Sequence, residues 1–142
     1  MRLTTYTDYS LRVLMYVAMK DGLSTIQEIA GVYGISKNHL MKVVLELGRH
    51  GLLETVRGRN GGLRLARPQT EIGLGDVVRL AEEDFALVEC FTRGNGCIIT
   101  APCRLRGILW EALEAYLAVL DRYTLADLTK RNSGLTRILF AA

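Results

Sequence analysis

Proline is nearly missing, with two in 142 residues, and no stretch is compositionally biased, which excludes extended disorder. The apolar runs fall far short of the roughly 20 residues that a bilayer span requires, so no transmembrane helix is expected. The opening MRLTTYTDYS lacks the apolar segment and cleavage site of a secretory signal, and a cytoplasmic location is expected. Cysteine is scarce and odd in number, three in all, which argues against a paired disulfide framework. No glycine-rich phosphate loop, catalytic triad or paired carboxylates appear, so enzymatic activity is not expected. The acidic run of Asp76, Glu82, Glu83 and Asp84 reads as a solvated surface. What is present is 49% hydrophobic and 23% charged residues, the proportions of a chain able to bury a core.

The net charge of +3 is unevenly spread. Residues 1–70 carry ten Lys/Arg against five Asp/Glu, giving +5; residues 71–142 carry eight against ten, giving −2. A basic first half suggests a polyanion-binding unit joined to something else.

Hydrophobic spacing predicts a helix over residues 8–20, with Leu11, Leu14, Met15 and Ala18 on one face. Ser24 with Gln27 reads as a capping box for a second short helix through Ile26, Ile29 and Ala30. Ser36 reads as the N-cap of a third, with Leu40, Val43, Val44 and Leu47 inward. Two short β segments then flank Asn60-Gly61 and predict a hairpin closed by Pro68. A short helix is expected over 74–81, and a loop over 89–103, where Gly94, Asn95, Gly96 and Pro102 interrupt the pattern. Residues 104–122 predict a long helix on which Leu105, Leu109, Ala112, Tyr116 and Val119 approximate a heptad seam. Trp110 on this helix reads as a core or interface residue. Thr124 with Asp127 resembles a capping pair for a last short helix, and the pattern beyond Arg131 is ambiguous.

Three helices followed by a basic hairpin describe a winged helix-turn-helix. The fold class expected is mainly α with a small β-hairpin, plus a long C-terminal dimerisation helix. A recognition helix places its N-terminal residues near base edges in the major groove. Ser36, Lys37, Asn38, His39 and Lys42 occupy that end here. Asn38 and His39 are candidate base readers, while Lys37 and Lys42 suit phosphates; Ser36 caps the helix and can donate to a phosphate. For each taken singly, a solvated basic face is the favoured reading. The hairpin shifts the balance, because Arg57, Arg59, Arg64 and Arg67 lie within eleven residues around Asn60. A structural hairpin needs a turn and not that many arginines, whereas a wing on phosphates or in the minor groove does. Double-stranded DNA is the expected partner, bound by a homodimer at a palindromic site.

Cys90, Cys97 and Cys103 fall within fourteen residues of one Gly- and Pro-containing loop. Packing residues, reactive thiols and metal ligands all remain open readings, and the clustering favours a metal centre. The spacing is not the Cys-x-x-Cys of zinc knuckles. Three thiolates leave a fourth coordination position, which suits an iron–sulfur cluster with a non-cysteine ligand. His39 and His50 lie in or beside the recognition helix, so an oxygen ligand, from another subunit, is the alternative.

The segments MRLTTYTDYSLRVLMYVA, VRGRNGGLRLARP, DFALVECF and LDRYTLADL resemble the iron–sulfur winged-helix repressor family. The resemblance runs from Met1 to about Lys130 and lies closest to the family's nitric-oxide-sensing branch. It implies that Cys90, Cys97 and Cys103 hold the cluster, of the 4Fe-4S type with 2Fe-2S as the alternative. It also implies that Asp8 of the partner subunit is the fourth ligand; on its own residue chemistry Asp8 reads as a first-turn acid. Arg12, one turn on, either offsets cluster charge or pairs with an acid. Arg106 stands where the cluster-assembly branch has histidine, which departs from that branch. The implied function is a nitric-oxide-sensing repressor that holds its DNA while loaded and releases it when the cluster is nitrosylated. An iron- or cluster-supply-responsive regulator of the rhizobial type and a cluster-free thiol redox switch are the alternatives. The expected organisation is a DNA-binding unit over 1–82, a cluster loop over 83–103 and a dimerisation helix with C-terminal segment over 104–142.

Overall fold

The computed structural model describes residues 1–141. Its elements run α1 (Thr5–Met19), α2 (Ile26–Tyr33), α3 (Lys37–Arg49), β1 (Leu53–Val56), β2 (Gly62–Leu65), α4 (Leu74–Ala81), α5 (Arg104–Asp121), α6 (Leu125–Thr129) and α7 (Ser133–Phe140). This is the expected helical fold with one antiparallel hairpin, in the register Leu53↔Leu65 to Val56↔Gly62.

α1 is the central helix of the core. Val13, Leu14 and Val17 are buried among Ile29 of α2, Leu40, Val43 and Leu47 of α3, and Leu63 of β2. It starts at Thr5, three residues before the sequence-based start, because Thr4 caps it locally and a tertiary contact from Glu82 reinforces that cap. The Thr4 side chain accepts from Thr7 N, and Glu82, at the end of α4, accepts from Thr4 N (2.8 Å) and Thr4 Oγ1 (3.0 Å).

The second helix is capped by Thr25 and Glu28, which form a reciprocal capping box, and not by Ser24 and Gln27. Ser24 is instead fully buried and extended, exchanging two backbone hydrogen bonds with Leu63 of the hairpin (3.0 and 2.7 Å). That bridge holds the backbone of Ser24 away from the cap position and fixes the hairpin to the helical core. Ser36 caps α3 as expected, accepting from His39 N at 3.1 Å, and Thr124 with Asp127 caps α6.

The ambiguous tail is helical: Asn132 caps α7, whose Phe140 ring packs on Tyr16 of α1 at 5.0 Å. Leu125 and Leu139 join the core around α1, so the chain after α5 folds back onto the N-terminal helices. A second apolar cluster joins Val78 of α4 to Leu113 and Leu117 of α5. The residues of the expected seam therefore divide. Tyr116 packs inward with Leu113 and Leu117, whereas Leu105, Ala112 and Val119 stay exposed together with Ile108 and Ala115. The outward stripe steps by three, four, three and four residues, with Leu105 and Ile108 59% and 61% exposed.

Candidate nucleic-acid interface and candidate metal centre

α3 begins after Gly34, whose positive φ of 64° allows the tight turn out of α2. Leu40, Val43, Val44 and Leu47 seat it in the core. Lys37, Asn38, His39 and Lys42 are thereby exposed near its N-terminal end, which is the disposition a recognition helix needs. His39 lies on the flank next to α1, with its ring edge-on to Tyr9 at 5.9 Å between centroids.

The hairpin carries its cations at separate heights. Arg57, Arg59 and Asn60 are exposed at the tip, where Gly61 N donates to Gly58 O at 3.0 Å. Gly58 takes a φ of 117°, and a Cβ on Gly61 would strike the Val56 carbonyl, so both glycines are required by the turn. Arg64 sits mid-strand and faces its register partner Glu54, Nε to Oε2 2.9 Å. That hydrogen bond and the charge of Arg64 hold the Glu54 carboxyl below its usual range. Arg67 lies beyond β2, at the end of the hairpin away from the tip. The tip thus offers free donors and the stem a partly neutralised one.

The three thiols sit on the segment joining α4 to α5. All are free and partly buried, and Cys103 directly precedes the first residue of α5. The loop is braced by its own polar groups. Asn95 Oδ1 accepts from Cys97 N and Thr100 Oγ1, both at 3.0 Å, and Gly96 N donates to Glu89 Oε1 at 2.9 Å. Arg106 Nε donates to Cys90 O at 3.2 Å, and the Phe91 ring meets Trp110 of α5 at 5.3 Å. Sequence reasoning assigned neither Asn95 nor Arg106 to this bracing, since both bonds depend on the folded path of the loop.

Asp8 lies in the first turn of α1, about half exposed, and its carboxylate pairs with Arg12 (2.8 and 3.1 Å). Arg12 also lies about 6 Å from the rings of Tyr9 and Tyr33. Among the described residues no three His, Cys, Asp or Glu side chains are gathered into a group that could hold a metal ion. The donor chemistry nonetheless fits an iron–sulfur centre: three unoxidised thiols on one short loop, of the ligand type that such clusters select. A cluster held by these three thiols would need the loop to draw Cys90, Cys97 and Cys103 together.

The comparisons agree with this architecture. The family model described as Rrf2, iron-dependent transcriptional regulator, matches residues 3–131. The HTH-type transcriptional regulators NsrR of Halalkalibacterium halodurans and Bacillus subtilis are each 53% identical over 98% of this chain and 97% of their own length. Among solved structures, the global cysteine regulator CymR of B. subtilis superposes with a TM-score of 0.76 at 26% identity, covering 94% of this chain and 99% of that one. CymR of Staphylococcus aureus in its oxidised form gives 0.75 at 29%, covering 92% and 97%. These regulators are not enzymes, and the matched fold places this chain's hairpin where a winged helix carries its wing, after α3. The chain belongs to the Rrf2 family of winged-helix transcriptional regulators.

Proposed function

We propose that the protein is a homodimeric, nitric-oxide-sensing repressor that binds palindromic promoter DNA while an iron–sulfur cluster is held by Cys90, Cys97, Cys103 and Asp8 of the partner subunit. The observation that carries this reading is the placement of all three thiols, free and partly buried, on the one loop that joins the wing-bearing unit to α5. The resemblance to NsrR proteins over nearly the whole chain supports the signal. When bound, the cluster supplies iron that nitric oxide can attack, with the 4Fe-4S type favoured over 2Fe-2S.

The chain's own residues do the rest. Cys103 transmits the state of the loop to α5. The stripe of Leu105, Ile108, Ala112, Ala115 and Val119 has the spacing of a two-helix seam and supports a second copy as its cover. Asp8, reaching across that dimer, exchanges Arg12 for the partner's loop. Its neighbour Tyr9 touches His39, so a shift at the first turn of α1 bears on the base-facing end of α3. Ser36, Lys37, Asn38, His39 and Lys42 face the major groove, and Arg57, Arg59, Asn60 and Arg64 follow the backbone along the wing. A regulator acting on chromosomal promoters works in the cytoplasm, and no described helix is long and apolar enough to cross a membrane.

The test is a visible spectrum of anaerobically purified protein before and during nitric-oxide titration. A coloured protein whose band is lost at low nitric-oxide stoichiometry, with parallel loss of DNA binding, is the expected result. A protein that stays colourless after iron and sulfide are supplied overturns the cluster and turns attention to a thiol redox switch. A second reading, release when iron or cluster supply falls, is favoured by the family model's description as iron-dependent. Loss of DNA binding on iron chelation without response to nitric oxide would establish it instead.

A further inference from the structure

The inward face of α3 is made by Leu40, Val43, Val44 and Leu47. Turning the helix at about 100° per residue puts Asn38, Lys42 and Leu45 at the centre of the opposite face, with Met41 beside them. Asn38, Met41, Lys42 and Leu45 follow the i, i+3, i+4, i+7 spacing by which a homeodomain's recognition helix presents its base-reading side chains.

Two of these four are large and apolar. Met41 is 51% exposed and Leu45 55%, and neither joins either apolar cluster of the fold. A helix face selected only for solubility would not place Leu45 at its centre beside Asn38 and Lys42. Single exposed apolar residues are ordinary on protein surfaces, so it is their position that matters. They stand one turn apart on the face that Lys37 and Lys42 make cationic, next to Asn38, whose amide suits an adenine edge. The apolar group available on a base edge in the major groove is the 5-methyl of thymine. Lys42 near the centre and Lys37 at the edge direct the face to phosphates, and the apolar chains then meet the base edges beside them.

We infer that Met41 and Leu45 are specificity-determining residues that pack on thymine methyl groups, while Asn38 reads an adenine edge beside them. This rests on the DNA-binding reading and adds which base feature is recognised. Apolar contacts of this kind discriminate against C·G and G·C pairs at the positions they cover, and they carry no dependence on salt.

The experiment selects a site for the anaerobically purified full-length protein from a random duplex pool, then compares that duplex with one in which dU replaces dT. Removing the methyls is expected to weaken wild-type binding about three- to tenfold for one or two lost contacts. Met41→Ala with Leu45→Ala is expected to bind the dT and dU duplexes equally while keeping the wild-type salt slope; both residues are on the surface, and the wild-type comparison needs no variant. Equal wild-type affinity for the two duplexes overturns the inference and leaves DNA binding intact. So does a double variant that keeps the full methyl dependence, or one whose change is in dimer mass alone, which would make this face an interface between copies. A pool that enriches no site overturns the inference and the sequence-specific reading together.

Discussion

Arg79 of α4 and Asp121, the last residue of α5, form a two-point ion pair, Nη1 to Oδ1 2.5 Å and Nη2 to Oδ2 2.8 Å. The fork of the guanidinium matches the carboxylate, and the pair fastens the far end of the long helix to the wing-bearing unit. Gly75 makes room for it: a Cβ there would run into both the Asp121 carboxylate and Arg79 Nη1.

Gly75→Ala is therefore expected to part the two side chains without unfolding the protein. Both colliding groups are the ends of flexible, half-exposed side chains, and alanine is the better helix former. The hydrogen bond from Arg79, then its charge, lowers the Asp121 carboxyl. NMR titration of Asp121 in the variant should return to the ordinary carboxylate range with the melting temperature little changed. A titration identical to wild type would show that the pair survives.

The acid side of the stability curve follows from the same chemistry. Asp121, Glu54 and Glu28 are all lowered in the folded state, held first by hydrogen bonds from Arg79, Arg64 and Lys20. A carboxyl lowered on folding contributes stability that is complete above its unfolded value and lost as pH falls through its folded one. Urea midpoints of the cluster-free protein should hold steady between about pH 5 and 7 and decline below about pH 4. Glu54→Gln should flatten part of that decline.

Glu82→Ala tests the cap on α1. One carboxylate oxygen accepts from Thr4 N, Thr4 Oγ1 and Thr7 Oγ1. Losing it is expected to cost about 1–2 kcal/mol and to speed hydrogen exchange in the first turn of α1. Unchanged exchange there would assign the cap to Thr4 alone.

On the wing, the free tip and the paired stem should separate in salt titrations. Arg57→Ala and Arg59→Ala are each expected to weaken binding to all duplexes and to reduce the slope of log K against log salt by about one. Arg64→Ala should reduce it less, because Glu54 already shares that charge. Equal slopes for all three would show that Arg64 leaves Glu54 and neutralises a phosphate as fully as the tip arginines.

The apolar stripe on α5 predicts the oligomeric state. Replacing both Leu105 and Ile108 with Glu introduces charge into the seam and should give monomers in sedimentation equilibrium, with the melting temperature of the monomer fold retained. Dimers of unchanged stability would move the interface elsewhere.

Sequence reasoning succeeded where the structure is decided locally. The cap at Ser36, the pair Thr124–Asp127 and the turn glycines at 58 and 61 act within a few residues, so their chemistry is visible in the chain itself. It failed where a distant partner decides. Ser24 is withdrawn from capping by Leu63, and the Thr4 cap of α1, itself local, is reinforced by Glu82 from across the fold. The tail is helical because Leu139 and Phe140 find the core around α1. The seam on α5 was legible as a period but not as a register, since an apolar stripe does not say which side meets α4. Met41 and Leu45 lie outside the inward set that the period gives α3, and the structure shows both exposed.

The thiol loop opens directly onto an eighteen-residue helix, which is tied to α4 at its far end through Asp121 and packed on Val78 at its middle through Leu113 and Leu117. At about 1.5 Å per residue its length is about 27 Å. A tilt of about 5° about the Asp121 end would displace the Cys103 end by about 2 Å. Under the proposed function, a loop that tightens around its thiols would need only a small change in span to move that end of α5, and half-sites one DNA turn apart would register the displacement as a mismatch in their separation.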